Sequence, residues 1–301
     1  MKTTHTIAVL GTGNMGFRMA RRLCEAGFRL HAWNRSAEKA LPLKDFGAHV
    51  FSQASDAVRD ADIVISLLES GTVVGEVLFG QTGSKTAPAT VAGAMKPGAL
   101  FVDMASIQPR EARDHAARLG EFGVAHLDAP VSGGTTGAEE GRLVIMVGGK
   151  AADFERALPV FQHFGRATHV GPHGSGQLTK LANQMIVGIT IGAVAEALLF
   201  TARGGADMAK VKDAITGGFA DSRVLQVHGQ RMVERDFAPR ARMDIQLKDL
   251  RNALATAQEI GFEAPITALF EQLYAEGVEH GLTDLDQSGL FVELASRNGM
   301  S

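Results

Sequence analysis

The chain has 301 residues, more than one hydrophobic core serves efficiently, so two domains are expected. Apolar residues at 45% and charged residues at 21% are ordinary globular usage, and a net charge of -3 gives no general attraction to nucleic acid or anionic lipid. Any positive site has to be local, and the single cysteine, Cys24, excludes an intrachain disulfide and fits a reducing compartment.

The first apolar run, Ile7 to Leu10, is short and ends in glycines, which is unlike a signal peptide, so a cytoplasmic protein is expected. β-branched runs predict strands at Thr6–Leu10, Arg29–Trp33, Asp62–Leu67, Leu100–Asp103, Ala125–Asp128 and Leu143–Val147. Apolar residues at three- and four-residue spacing predict helices at Met15–Ala26, Ala37–Phe46 and Pro109–Phe122, with Gly27, Gly47 and Gly123 where they stop. Alternation of this kind predicts an α/β fold, a doubly wound parallel sheet of Rossmann type.

After about Thr168 the texture changes. His169–Gly176 is glycine-rich, and beyond it the pattern is helical: Gln177–Arg203, Met208–Thr216, Ser222–Arg235, Asp244–Ile260, Pro265–His280 and Gln287–Arg297. The division expected is a dinucleotide-binding domain over 1–170 and an all-helical domain over 171–301. The most apolar stretch, Ile186 to Phe200, contains Glu196 and falls short of the roughly 20 residues a bilayer needs, so a buried helix is expected rather than a membrane span.

Gly11-Thr12-Gly13-Asn14-Met15-Gly16 follows the first strand and opens the first helix. In that context Gly11 permits a tight turn, Gly13 lets the backbone approach a pyrophosphate, and Gly16 allows close helix–strand packing. A glycine-rich turn can also merely join a strand to a helix, but strand, motif, helix and second strand together point to a dinucleotide. The second strand ends in Asn34-Arg35-Ser36, about 20 residues on, where an NAD-specific fold usually carries a carboxylate for the ribose hydroxyls. Arg35 instead suits a 2′-phosphate, which favours NADP over NAD, the plainer alternative being a solvated surface charge.

Asp128-Ala129-Pro130-Val131-Ser132-Gly133-Gly134 follows a later strand, and a hydroxyl beside two glycines makes a nest for a carboxylate or an ordinary turn. In Gly174-Ser175-Gly176-Gln177-Leu178-Thr179-Lys180-Leu181-Ala182-Asn183-Gln184, Lys180, Asn183 and Gln184 share one helix face. A lysine carried into an apolar helix suits acid/base work, because desolvation lowers its pKa; the alternative is a lysine at an exposed helix start.

GTGNMG at 11–16, DAPVSGG at 128–134, GSGQLTKLANQ at 174–184 and QLKDL at 246–250 together resemble the β-hydroxyacid dehydrogenase family, in order and over the whole chain. The resemblance implies a Rossmann domain, a helical second domain, and dimers or tetramers. It implies the cofactor along Gly11, Thr12, Gly13, Asn14, Met15 and Gly16, with Asn34, Arg35, Ser36, Leu68, Ser106 and Lys248 also in contact with it. Ser132, Gly133 and Gly134 would hold a substrate carboxylate, Asn183 and Gln184 would orient the substrate, and Lys180 would be the catalytic acid/base. Two departures stand out: Gln184, where many members have a second asparagine, and Gln108, where many have aspartate. The stretches Lys180–Gln184, Ala195–Phe200 and Gly217–Arg223 are most similar to the tartronate semialdehyde reductase branch, which implies reduction of 2-hydroxy-3-oxopropanoate to glycerate. A 3-hydroxyisobutyrate dehydrogenase would share every catalytic residue. Lys180 argues against an imine reductase, and with the SGG loop it argues against a silent dinucleotide-binding module.

His163, His169 and His173 lack a Cys or a paired carboxylate to complete a ligand set, so no metal is expected. Glu139-Glu140 reads as a solvated pair.

Overall fold

The computed structural model describes residues 5–80 and 90–300. The chain divides into two compact units, ending at Lys180 and beginning at Leu181, so the division falls inside a helix.

The first unit is built on a nine-stranded sheet. Its strands are β1 Thr6–Leu10, β2 Arg29–Trp33, β3 His49–Val50, β4 Ile63–Ser66, β5 Leu100–Asp103, β6 Ala125–Asp128, β7 Val131–Ser132, β8 Leu143–Gly149 and β9 Gly165–Gly171. The order β3-β2-β1-β4-β5-β6 is parallel throughout, which is the doubly wound dinucleotide-binding order with its switch point between β1 and β4. Beyond β6 the sheet changes hand: β8 runs antiparallel to β6 and β7, and β9 pairs parallel to β8. The helices that cross between strands are α1 Asn14–Glu25, α2 Ala54–Val58, α3 Gly71–Phe79, α4 Val91–Ala94, α5 Pro109–Glu121, α6 Gly134–Glu140 and α7 Ala151–Phe161.

Strand alternation distributes the core. Ile7 and Val9 of β1 join one apolar cluster and Ala8 and Leu10 the other, all with no exposed surface, so β1 is covered on both faces as a central parallel strand must be. The segment expected as a helix over Ala37–Phe46 is two 3₁₀ turns, Ala37–Lys39 and Leu41–Phe46. Pro42, second in the latter, has no N–H to extend an α-helix through from the preceding turn. Strand β9 was not expected: its residues alternate between half-buried and exposed, and its apolar content is too low to stand out in sequence.

The long helix α8 runs Ser175–Arg203. By length and composition it could cross a membrane, and 39% of its most apolar window is buried. It is two-sided: Ile191, Ala195 and Leu198 are buried in a core, while Leu178, Ile186 and Phe200 are exposed, the last two at 67% and 77%. The second unit adds α9 Met208–Ile215, α10 Gln230–Glu234, α11 Met243–Glu259, α12 Pro265–Gly277 and α13 Leu290–Arg297. Single π-turns at Leu225–Gly229 and Val278–Leu282 interrupt two stretches that read as plain helix in sequence. Thus a Rossmann-type α/β domain is followed by an essentially helical one.

Candidate active site

The glycine loop lies between β1 and α1. Gly11 donates its N–H to the Trp33 carbonyl at 2.9 Å, and Thr12 donates its N–H to Asn34 Oδ1 at 2.9 Å. Asn34 Nδ2 in turn donates to the Ser36 carbonyl at 3.0 Å, which ties the tip of β2 to the loop. Gly11 sits at φ +97°, and a Cβ on Gly16 would collide with the Gly11 carbonyl oxygen, so both positions require glycine. Gly13 precedes α1; no side chain caps the helix and no acid stands in its first turn. A Cβ on Gly13 would meet nothing within 4 Å, so the free N–H groups and the positive end of the helix dipole have open access to an anion. Asn14 and Met15 are the first two helical residues. Leu68, just past β4, packs beside Gly11, and Arg35 is exposed beyond the end of β2.

Neighbouring strands β5 and β6 end on Asp103 and Asp128, which are paired in register and fully buried. The Asp128 carboxylate accepts the backbone N–H of Gly174 at 2.8 Å through Oδ1 and that of Gln177 at 2.9 Å through Oδ2. It therefore supplies the anion that the start of α8 needs. Gln177, also fully buried, donates from Nε2 to the Ala105 carbonyl at 2.8 Å and accepts at Oε1 from the Ile107 N–H at 3.1 Å. Its carboxamide grips the chain on both sides of Ser106. Gly176 permits this approach, because a Cβ there would come within 2.5 Å of the Asp128 and Met146 carbonyl oxygens.

Burial pushes the Asp103 carboxyl up to about 8; the Ala105 N–H on Oδ1 opposes the rise, and the charges of Asp128 and Glu111 add to it. Asp128 is raised by the same desolvation but pulled back by the N–H groups of Gly174 and Gln177. The strand ends thus carry an Asp103 whose neutral form burial favours, beside an Asp128 whose two oxygens accept backbone N–H groups. Sequence reasoning assigned no role to Asp103, Asp128 or Gln177. The available signal was an acid closing each of two successive strands, both followed within four residues by a serine.

Ser132 closes β7, and Gly133 and Gly134 follow at φ +132° and +63°, conformations that favour glycine and turn successive N–H groups out of the strand direction. Lys180 stands on α8 one turn after Gln177 and is half-buried, between the two alternatives that the sequence left open.

In the second unit, Asn183 and Gln184 belong to a network within the helical domain. Gln184 Nε2 donates to Asp249 Oδ2 at 2.9 Å and to Gln246 Oε1 at 3.2 Å, and Asn183 Nδ2 donates to Gln184 Oε1 at 2.9 Å. Gln246 Nε2 completes it by donating to the Gln184 backbone carbonyl at 3.0 Å. Lys248 is partly exposed, with Nζ 3.4 Å from Asp249 Oδ1. Gln246 and Asp249, both almost fully buried, were visible in sequence only as members of the QLKDL motif.

The histidines serve separate ends. His163 packs edge-on to Phe28, His169 bonds the Gly149 carbonyl and stacks on Phe154, and His173 bonds the His126 carbonyl. Among the described residues no three potential ligands gather as a metal set. Glu139 is not simply solvated: it pairs with Arg18 and Arg21 of α1, each at 3.2 Å.

The first unit fits a dinucleotide on its own evidence. The first turn of α1 lacks a capping side chain, and the hydroxyls of Thr12 and Ser106 are buried with no hydrogen-bond partner among the described residues. Orphan hydroxyls of this kind are costly unless a bound group satisfies them.

Comparisons with known proteins place both halves of the chain in one family. Residues 6–172 match the model described as the NAD binding domain of 6-phosphogluconate dehydrogenase. Residues 174–293 match the one described as NAD-binding of NADP-dependent 3-hydroxyisobutyrate dehydrogenase. The 2-hydroxy-3-oxopropionate reductase of Escherichia coli K12 is 41% identical over 285 residues, covering 94% of this chain and 95% of that protein. The 3-hydroxyisobutyrate dehydrogenase of Pseudomonas aeruginosa is 35% identical, with 94% and 95% covered. Among solved structures, a Mycobacterium tuberculosis 3-hydroxyisobutyrate dehydrogenase with L-serine superposes at a TM-score of 0.88, with 30% identity over 97% of this chain and 99% of that one.

Proposed function

Because the chain belongs to the β-hydroxyacid dehydrogenase family related to 3-hydroxyisobutyrate dehydrogenase, whose members are NAD(P)-dependent oxidoreductases of small hydroxyacids and their aldehydes, we propose that it reduces 2-hydroxy-3-oxopropanoate to glycerate, with NADP as the preferred cofactor. The substrate assignment leans on the 41% identity to the Escherichia coli reductase. The observation that carries the chemistry is the Gln177 carboxamide, bonded to Ala105 and Ile107, which holds the first turn of α8 and the Ser106 segment as one body with Lys180 one turn on.

The chemistry a bound nicotinamide supplies is hydride transfer to or from the carbon bearing the reacting oxygen. The residues of this chain then have distinct tasks. The first turn of α1 binds pyrophosphate, Asn34 fixes the tip of β2, and Arg35 receives the 2′-phosphate. Ser132 with the Gly133 and Gly134 N–H groups receives the substrate carboxylate. Lys180 donates the proton to the aldehyde oxygen as negative charge builds there, and takes it back when the alcohol is oxidised.

A panel of 2-hydroxy-3-oxopropanoate, 2-methyl-3-oxopropanoate, succinic semialdehyde and glyoxylate, each with NADPH and NADH, tests the proposal. The first should give the highest kcat/KM. A higher value for 2-methyl-3-oxopropanoate would instead assign the chain to 3-hydroxyisobutyrate turnover, the second reading, which the Pseudomonas and Mycobacterium relatives support.

A further inference from the structure

We propose that Asp103 lets the first unit distinguish an oxidised dinucleotide from a reduced one, its buried carboxyl giving up a proton when the nicotinamide ring carries positive charge. The inference goes beyond the reaction proposed above. It needs only dinucleotide binding by the first unit, which the glycine loop and the family support.

The strand order decides which half of the cofactor meets which strand ends. A dinucleotide crosses a sheet of this order at the switch point, with one mononucleotide on each side, and the end of β2 serves the adenosine ribose. The nicotinamide half then falls at the carboxyl ends of β4, β5 and β6, on the other side of β1. Ser66, Asp103 and Asp128 close these three strands, are paired in register and have no exposed surface. Ser66 Oγ, Asp103 Oδ2 and, just beyond β5, Ser106 Oγ are buried with no hydrogen-bond partner among the described residues.

The charges that act most on Asp103 are negative, Asp128 on β6 and Glu111 on α5. Ser66 on β4 is neutral, and His173, in the turn before α8, acts on Asp128. Burial pushes the Asp103 carboxyl up to about 8; the Ala105 N–H on Oδ1 at 3.1 Å opposes the rise and the two acids add to it. A cation at the strand ends works the other way, because opposite charges attract strongly where water is excluded. The oxidised ring is such a cation and the reduced ring is neutral, while phosphates, riboses and adenine are common to both forms. The oxidised complex therefore loses a proton that the free protein keeps just below pH 8. Affinity for the oxidised form rises as pH climbs to about 8 and levels off above it, and affinity for the reduced form lacks that slope.

The test measures dissociation constants of NADP+ and NADPH for the full chain between about pH 6 and pH 8, by fluorescence titration. Taking their ratio cancels the 2′-phosphate, which titrates near pH 6 in both. In the parent, Kd for NADP+ over Kd for NADPH should fall about tenfold across that range, the change produced by one linked proton over one pH unit. In Asp103→Asn, neutral at every pH, the ratio should stay flat. A flat ratio in the parent overturns the proposal, and so does a slope that persists in Asp103→Asn, which would give the proton to another group. If Asp103→Asn fails to fold, ¹³C NMR of the Asp103 carboxyl in the parent decides. Its titration midpoint should lie lower with NADP+ than with NADPH, and equal midpoints overturn the proposal. If the NADP pair does not bind, the NADP preference fails separately, and the same ratio is read with NAD+ and NADH.

Discussion

The carboxylate of Asp128 accepts the backbone N–H of Gln177 at 2.9 Å, across a sequence separation of 49 residues. One strand end therefore caps the helix that carries Lys180, and the same residue, Gln177, holds the Ser106 segment through its side chain. Asp128→Asn retains one accepting oxygen where two are used, so a buried N–H is orphaned. Stability should drop by about 1–3 kcal/mol, measurable as a lower urea midpoint with an unchanged slope. A midpoint equal to the parent's would mean that the cap contributes nothing.

Lys180→Met preserves the length of the stem but removes the proton and the charge. We expect kcat to fall by about 10²–10⁴, with NADPH binding nearly unchanged by fluorescence titration. Retention of more than about a tenth of parental kcat, well outside that range, would assign the proton transfer to another group or to water.

Asp103 makes stability depend on pH in a defined direction. Its carboxyl lies at about 8 in the folded protein and at 3.8 in the reference state, so between those values the folded chain keeps a proton that the unfolded chain has lost. The contribution is therefore complete below about pH 4 and is lost as pH rises toward 8. Asp103→Asn, which mimics the neutral acid, should gain on the parent across that window, by an amount on the order of a few kcal/mol. Chemical denaturation at pH 5 and pH 8 reads the difference, and parallel curves for the two proteins would count against a protonated Asp103.

Arg35→Asp exchanges a partner for the 2′-phosphate for an acceptor of the ribose hydroxyl. The ratio of kcat/KM for NADPH over NADH should shift toward NADH by roughly 1.5–3 kcal/mol, the scale of a charge-assisted hydrogen bond. Equal discrimination in mutant and parent would return Arg35 to the solvated surface.

The outer side of α8 suggests an assembly. Leu178, Ala182, Ile186, Ala193, Ala197 and Phe200 are all exposed and recur at helical spacing, and an apolar stripe of that length is a typical association surface. Light scattering at micromolar concentration should give a dimer or tetramer, and Ile186→Glu should shift it toward monomer. A monomeric parent would remove the argument.

Some of this organisation could be read directly from the residues. The strands of the doubly wound core stand out as short apolar runs, and in the phosphate loop Gly11 is demanded by its positive φ and Gly16 by the closeness of the Gly11 carbonyl, while Gly13 leaves open space at the helix start. Strand β9 could not be read, since its pairing with β8 rather than its composition makes it a strand. The two 3₁₀ turns around Pro42 kept a helical spacing without an α-helical backbone. At the site, the glycine, serine and lysine positions were legible as motifs. The roles of Asp128, Gln177 and Asp249 were not, because each depends on hydrogen bonds to residues between 46 and 72 positions away, which no local pattern encodes.

The cap on α8 also bears on how such a chain can be cut and recombined. The two matched segments, 6–172 and 174–293, meet just before Gly174 and Gln177, the residues whose N–H groups Asp128 requires. A fragment ending at Pro172 would bury the Asp128 carboxylate without its two donors, and the Ser106 segment would lose its grip from Gln177. Modular exchange that respects the folding of the first half therefore has to carry the opening turn of the helix with it. Heritable crossovers should accumulate after Gln177, inside a regular helix, rather than in the glycine-rich stretch that looks like the natural seam.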